Sequence, residues 1–170
     1  MKKISLIILV LFTQYLYAQN PDESITKEFK ITGKVKKEKI ITLADLKKYP
    51  MIELNDINTS CSPRKEDKAK SVKVVLLKNI LDSVAFQYDK PRMLNQYYFL
   101  FVASDGYSMV FSFNEIYNTE IGNNLYIVTE MEGKDLKEMD RRILILTTKD
   151  IKSGTRNMKW LSKIVVCSAE

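Results

Sequence analysis

The chain of 170 residues contains no histidine and only two cysteines. Because the imidazole group is the usual general base and the commonest zinc ligand, its absence excludes Ser-His catalytic triads and histidine-based metal sites. A long apolar run is also missing. The mostly apolar stretch at residues 4–12 is shorter than the roughly 20 residues that a membrane-spanning helix needs. We therefore expect no transmembrane segment in the mature chain.

The N-terminal segment has the layout of a secretory signal. Lys2 and Lys3 precede the apolar core Ile4–Phe12, and polar and aromatic residues follow up to Ala18. A charged start, an apolar core and a cleavage region in this order are typical of export signals, and we expect cleavage after Ala18. The protein is then exported, to the periplasm or the extracellular space. The predicted divisions are a signal peptide at 1–18, an N-terminal lead-in at 19–28 and a single folded domain at 29–170.

Removing the signal leaves a domain of ordinary size with a small positive charge. The remaining 152 residues are enough for one domain with its own core. The signal contains two lysines and no acidic residue, so the mature chain carries 25 basic and 21 acidic side chains, a net charge of +4. Such a modest excess favours a small anionic ligand or an extracytoplasmic protein partner, and no nucleic acid.

The two cysteines leave several alternatives open. Export would place Cys61 and Cys167 in a compartment that permits disulfides. They would form a disulfide only if the fold brought their Cα atoms within bridging distance, which the sequence does not reveal. Cys61 is otherwise a free surface thiol or a metal ligand. Secretion favours the disulfide or the free thiol over the metal ligand.

Hydrophobic periodicity predicts one α+β domain with many strands and two or three short helices. A helix is expected after Thr42, which with Asp45 forms the pattern of a capping box, and Pro50 limits that helix to about two turns. A second helix is expected where apolar residues recur at helical spacing between Leu76 and Val84, and a short capped turn at 114–117. Strands are predicted at 29–35, 51–57, 72–75, 97–103, 108–113, 125–130, 143–148 and 158–167.

A hairpin is predicted in the middle of the chain. The apolar run Tyr97–Ala103 is typical of a strand buried on both faces, and a strand of alternating pattern follows from Ser108. Asp105 and Gly106 lie between them, and this pair is expected to supply the two positive-φ positions of a tight turn. The turn gives Asp105 a sufficient structural role, so we assign it no catalytic one.

The segment Gly154–Leu161, which contains the only tryptophan, resembles the G-x-R-x-x-K-W-L signature of the pterin-binding domain of sulfite oxidases and related molybdopterin-dependent oxidoreductases. Three earlier segments resemble parts of the same domain in the same order. Residues 30–46 are similar to its entry strand and helix, 74–84 to its G-V-P-L segment, and 103–107 to its A-S-D-G-Y hairpin. The resemblance implies a mixed β-sheet or barrel-like fold of the sulfite-oxidase type.

In that family a cysteine thiolate binds molybdenum, while basic residues and backbone amides hold the pterin and its phosphate. Carried across, the resemblance implies Cys61 as the metal ligand and Gly154, Arg156 and Lys159 as cofactor-binding residues, with no catalytic residue assigned. The alternative for this segment is a turn followed by a core strand, in which Trp160, Ile164 and Val166 share one face and the cations are solvated. A fold signature can persist as packing after its ligand is lost.

This chain departs from the family pattern at several points. Val74 and Leu76 replace the glycine and proline of G-V-P-L, and histidine is absent. The resemblance also implies that cofactor-loaded exported members carry a twin-arginine signal, whereas this chain has Lys2 and Lys3. We therefore expect a secreted, cofactor-free module that binds a small anion or a protein partner. The alternatives are a molybdopterin-dependent oxidoreductase with molybdenum on Cys61, and a purely structural domain.

Overall fold

The computed structural model describes residues 25–62, 64, 67–152 and 154–169. The predicted signal peptide and most of the lead-in lie outside these residues. The described strands are β1 Glu28–Gly33, β2 Lys39–Thr42, β3 Met51–Asn58, β4 Lys68–Leu76, β5 Tyr97–Ala103, β6 Ser108–Ser112, β7 Leu125–Met131, β8 Lys134–Asp135, β9 Ile145–Thr147 and β10 Leu161–Ser168. The described α-helices are α1 Leu43–Leu46, α2 Leu77–Leu81 and α3 Phe113–Asn118, and 3₁₀ helices span Pro91–Gln96 and Gly122–Asn124. No helix of the described part is long and apolar enough to cross a membrane.

The strands form two sheets. The first has the order β2-β1-β10-β5-β6, and its strands are antiparallel except for the parallel pair β1 and β10. The second has the order β3-β4-β7-β8, with β9 also pairing with β7. Among the described residues neither sheet closes on itself, so the barrel-like form expected from the resemblance is corrected to two open sheets. The α+β class with a few short helices is confirmed.

One large core joins the two sheets. It contains side chains from the first sheet, such as Phe99 and Ile164, together with Val75 and Ile127 from the second, all fully buried. The three helices bury their apolar residues in the same core. A smaller core lies on the other face of the second sheet, where Val74 and Val128 pack with residues of the 136–146 segment.

The helix starts follow their sequence signals closely. The Thr42 hydroxyl accepts a hydrogen bond from the backbone N–H of Asp45, whose carboxylate accepts one from the backbone N–H of Thr42, as the capping-box pattern predicts. Ser112 and Glu115 form the same arrangement at α3. The first helix is shorter than predicted, because α1 spans only four residues before the chain turns towards Pro50.

The 103–107 hairpin differs from the predicted two-residue turn. Of its central residues only Gly106 has a positive φ, +87°. The Gly106 N–H donates to the Ala103 carbonyl, and the Ala103 N–H donates to the Tyr107 carbonyl. This is the pattern of a three-residue loop with a glycine in the left-handed region. β5 also differs, since its residues alternate between buried and half-buried rather than being buried on both faces.

Two further strands differ from the sequence predictions. β2 was not predicted at all, and β4 begins at Lys68, inside the region expected to be loop. β4 then continues through Val74 and Leu76, which pair with β7. The position of the G-V-P-L segment is therefore occupied here by a strand, whose pairing with β7 shifts register between Lys73 and Val74.

Candidate functional site

The candidate site forms where two loops touch. One follows β3 and contains Cys61, and the other begins at Gly154 and leads into β10. Gly154 has φ of +81°, and a Cβ atom at this position would lie 2.8 Å from both the Ser60 and the Ser62 carbonyl oxygen. Only glycine therefore fits without strain. The close backbone approach expected at Gly154 is made here to the chain's own Cys61 loop.

The side chain of Asn157 links the two loops by hydrogen bonds. Its side chain is buried and donates to the Ser60 carbonyl at 2.8 Å and the Asn58 carbonyl at 3.4 Å, while its oxygen accepts from the Thr147 N–H at 2.9 Å. Sequence reasoning missed this residue, because an asparagine near a glycine in a turn is ordinarily exposed. The amide nevertheless fixes the position of Cys61 relative to the 154–160 segment.

The two loops enclose a small cavity of about 160 Å³. Its lining consists of Cys61, Asp105, Tyr107, Asn157, Met158 and Lys159. Tyr107 comes from the hairpin, and its hydroxyl donates to the Thr155 carbonyl at 3.2 Å. We call this cavity the Cys61 pocket. The structure thus brings Cys61, Lys159 and the neighbouring Gly154 together, and adds Asp105 and Tyr107 from the hairpin.

Lys159 is the cation of the Cys61 pocket. Its Nζ atom lies 3.5 Å from the centroid of the Trp160 ring, and it makes no ion pair with a carboxylate of the described residues. The nearby Arg141 is already paired, because its NH1 atom lies 3.2 Å from the Asp67 carboxylate. Lys159 is therefore the positive charge in the pocket that is left for a ligand.

The groups around the Cys61 thiol have opposing effects on its pKa. Cys61 is exposed as a residue, but partial desolvation of its sulfur at the pocket raises the pKa above the ordinary value, and the Asp105 carboxylate adds to this effect. The cations of Arg141 and Lys159 and a backbone hydrogen bond from Lys159 lower it, but by less. Cys61 is consequently a protonated thiol at neutral pH.

Neither cysteine of the structure is in a disulfide. Cys61 lies at the pocket, whereas Cys167 lies near the end of β10, where it is paired in register with Tyr98. The disulfide alternative is therefore not formed in this structure. The thiol of Cys61 is free for other chemistry.

Arg156 lies outside the Cys61 pocket. Its guanidinium group makes ion pairs with Asp150 at 2.5 Å and Glu115 at 2.8 Å, and it lies 4.2 Å from the centroid of the Phe111 ring. These hydrogen bonds lower the pKa of Asp150, and the pKa of Arg156 is raised in turn. Arg156 instead borders a surface hollow with Ile121, Lys149 and Lys152. Two carboxylates thus already surround the cation that the resemblance assigned to a phosphate.

Trp160 is not part of the last strand. β10 begins at Leu161, and Trp160 precedes it with φ of +60°, a left-handed conformation that is rare for a bulky residue. The ring is half-buried, and its N–H donates to the Asp140 carbonyl at 2.7 Å. The expectation that Trp160 shares one core face with Ile164 and Val166 is therefore corrected. Only the latter two are buried in the core.

Comparison with known proteins finds a similar solved structure but no matching family model or curated sequence. No family model and no curated protein sequence matches the chain. The crystal structure of the sulfane dehydrogenase SoxCD from Paracoccus pantotrophus is similar, with a TM-score of 0.57 and 12% sequence identity. The match covers 89% of this chain and 40% of that chain. At this identity the likeness shows the fold alone.

Proposed function

We propose that this protein is an exported, cofactor-free binding module that holds a small anion against Lys159 in the Cys61 pocket. The observation that carries the proposal is Lys159, which lines a formed cavity and whose ammonium group, placed over the Trp160 ring, has no carboxylate partner among the described residues. Asp105 lines the same cavity and opposes negative charge, but its carboxylate accepts the Tyr107 N–H at 3.1 Å. A small anion that binds beside Lys159 remains apart from the Asp105 carboxylate.

Two features support the absence of a pterin cofactor. The Cys61 pocket measures about 160 Å³, whereas pockets for organic ligands commonly measure about 300–1,000 Å³. Arg156 would have to release Asp150 and Glu115 before it could bind a phosphate group. The residues present therefore do not fit the pterin, although a free thiol is available for a metal.

One observation favours the alternative of a molybdopterin-dependent oxidoreductase. Cys61 is a free thiol beside the cations of Arg141 and Lys159, and a thiolate is a suitable ligand for a soft metal. Elemental analysis of the protein purified from its native exported fraction separates the two proposals. Stoichiometric molybdenum would overturn the cofactor-free proposal.

Anion binding can be measured directly by calorimetry. Sulfate and phosphate are the first probes, together with thiosulfate, because the structural neighbour is a sulfane dehydrogenase. Lys159→Gln removes the ammonium group and is expected to weaken binding about tenfold or more, since hydrogen bonds to charged groups contribute about 1.5–3 kcal/mol. Lys134→Gln is the matched control, because Lys134 is exposed on β8, away from the pocket. Equal affinities in the two variants would rule out Lys159 as the anion-binding group.

A further inference from the structure

The first sheet has an outward face that lies opposite the core. Strand alternation points Phe99 and Phe101 into the core and leaves Leu100 facing outward. Leu100 is paired in register with Val165 on one side and Val110 on the other. These three side chains therefore form a continuous apolar row across three adjacent strands.

Among the described residues no helix or loop covers this row. All three α-helices bury their apolar side chains in the core on the opposite side of the sheet, and Leu100, Val110 and Val165 belong to neither hydrophobic core. Val110 remains 47% exposed, and Ile40, at the β2 edge of the sheet, is 51% exposed. Antiparallel sheets that face water normally carry polar residues there.

Positive charge flanks one side of the apolar row. Lys30 and Lys163 are neighbours in register on the same face, and the turn from β1 to β2 adds Lys34, Lys36 and Lys37 at its edge, whereas Lys39 faces the other side, where its Nζ atom donates to the Ser83 hydroxyl at 2.7 Å. These five lysines are accompanied by only Glu28 and Glu38, an excess of three positive charges. The whole chain has an excess of six, from 27 basic and 21 acidic residues. Half of the net charge is therefore found at or beside this surface.

A second copy of the chain does not suit this face. Five strands spaced about 4.8 Å apart and five residues of about 3.4 Å each give a flat area of roughly 330 Å². A stable protein interface buries about 800 Å² on each partner. Face-to-face pairing would also bring the Lys30 and Lys163 pairs of both copies towards each other. The positive charge of this face favours an anionic partner. Its small apolar area favours a partner whose surface can adapt to the shape of the sheet.

We propose that the outward face of the first sheet, with the lysine-rich turn beside it, docks on an anionic lipid surface. Val110 and Ile40 enter the boundary between headgroups and acyl chains, and the surrounding lysines contact the lipid phosphates. Lysines close to an anionic bilayer each strengthen binding about fivefold. The few apolar contacts make the attachment reversible and dependent on salt.

The test is flotation of the purified protein with vesicles made of equal parts phosphatidylcholine and phosphatidylglycerol, compared with phosphatidylcholine alone. We expect binding to the anionic vesicles at low salt and release at high salt. The double variant Lys36→Gln/Lys37→Gln is expected to lower the partition coefficient more than tenfold. Val110→Ser is expected to lower it several-fold, because Val110 no longer enters the lipid.

Matched controls are available on the second sheet. Lys149→Gln/Lys152→Gln removes two exposed lysines, and Ile151→Ser removes a fully exposed apolar side chain, from the loop after β9. These variants should bind as the unmodified protein does. All the substituted positions are exposed, and thermal unfolding checks that each variant is folded. Absence of binding, equal binding to both vesicle types, or equal losses in test and control variants would each overturn the proposal. So would a dimer that Val110→Ser dissociates in sedimentation experiments.

Discussion

Arg156 and Asp150 form a bidentate ion pair within the segment that joins β9 to β10. The Nε atom donates to Oδ2 at 2.9 Å and NH2 donates to Oδ1 at 2.5 Å, while NH1 donates to Glu115 at 2.8 Å. The Asp150 side chain is only 10% exposed. The planar guanidinium group thereby links this loop to α3, an arrangement that lysine does not reproduce.

Replacing Arg156 with lysine is expected to reduce the free energy of unfolding by about 1–2 kcal/mol, because one ammonium group cannot satisfy both partly buried carboxylates. Urea unfolding measures the change. Lys48→Gln is the control, since it removes an exposed ion pair with Asp45 that solvent screens, and no measurable loss is expected. An unchanged unfolding midpoint in Arg156→Lys would contradict the structural role.

Stability is expected to fall in acid because of the same cluster. Hydrogen bonding to Arg156 lowers the pKa of Asp150 below its ordinary 3.8. Burial raises the pKa of Glu115, but hydrogen bonds from Ser112 and Arg156 bring it below its ordinary 4.5. Carboxyl groups with lowered pKa values stabilise the fold fully above the ordinary values, and this stabilisation is lost as the pH falls below them.

Thermal unfolding measured from neutral pH down to the acid range tests this dependence. The double variant Asp150→Asn/Glu115→Gln should be less stable at neutral pH and should lose less stability below about pH 4.5 than the unmodified protein. Glu120→Gln, which removes an exposed carboxyl group without an ion pair among the described residues, should leave the profile unchanged. If stability fell with pH in the same way in all three proteins, the cluster of Arg156, Asp150 and Glu115 would not be the cause of the acid dependence.

Gly154→Ala should destabilise the protein more than Gly133→Ala does. Both glycines have positive φ, +81° and +75°, but a Cβ atom at 133 meets nothing within 4 Å, whereas one at 154 meets two backbone oxygens at 2.8 Å. Strain from φ alone costs about 1–2 kcal/mol, and the collision should add at least about 1 kcal/mol. Urea unfolding of the two variants isolates the collision, and equal losses would show that the Cys61 loop moves aside freely.

Alkylation of Cys61 by iodoacetamide should respond to its charged neighbours. The rate is measured against pH in a Cys167→Ser background, so that one thiol reacts. Lys159→Gln removes a cation that lowers the pKa of Cys61, and the midpoint of the profile should move to higher pH. Asp105→Asn should move it to lower pH, because that carboxylate raises the pKa. Shifts of the same sign in both variants would be inconsistent with the pocket described.

Local signals in the sequence predicted the helix starts well. The contact between Thr42 and Asp45 joins residues three apart, so its spacing alone specifies it. The capped turn predicted at 114–117 begins one residue earlier, at Phe113, and its cap is Ser112 rather than a residue of the predicted turn. The strands Met51–Asn58, Tyr97–Ala103 and Leu125–Met131 also lie within one residue of their predicted positions, although β5 is not buried on both faces as its apolar run predicted. β2 was missed because its four residues begin in a lysine-rich segment and are held in place by pairing with β1.

The candidate site was only partly predictable. The segment Gly154–Leu161 drew attention to Lys159, which lines the Cys61 pocket, and to Gly154, which contacts the Cys61 loop. The separate environment of Arg156 depends on Asp150 and on Glu115, which is 41 residues away in the chain. Periodicity and motifs carry no information about such distant partners. The burial of Asn157 could not be predicted for the same reason, since its partners Asn58 and Ser60 are far away in the chain.

Local signals were enough to predict the Thr42–Asp45 capping box, the positions of the main strands, the presence of the hairpin and the α+β class, because their causes lie between residues close together in the chain. The tertiary structure decided which charges remain available. Arg156 and Lys159 are three residues apart in one motif, yet one is neutralised by carboxylates and the other lines a pocket beside Cys61. Coulombic and hydrogen-bond energies depend on distances through space, and folding sets those distances between residues far apart in the chain.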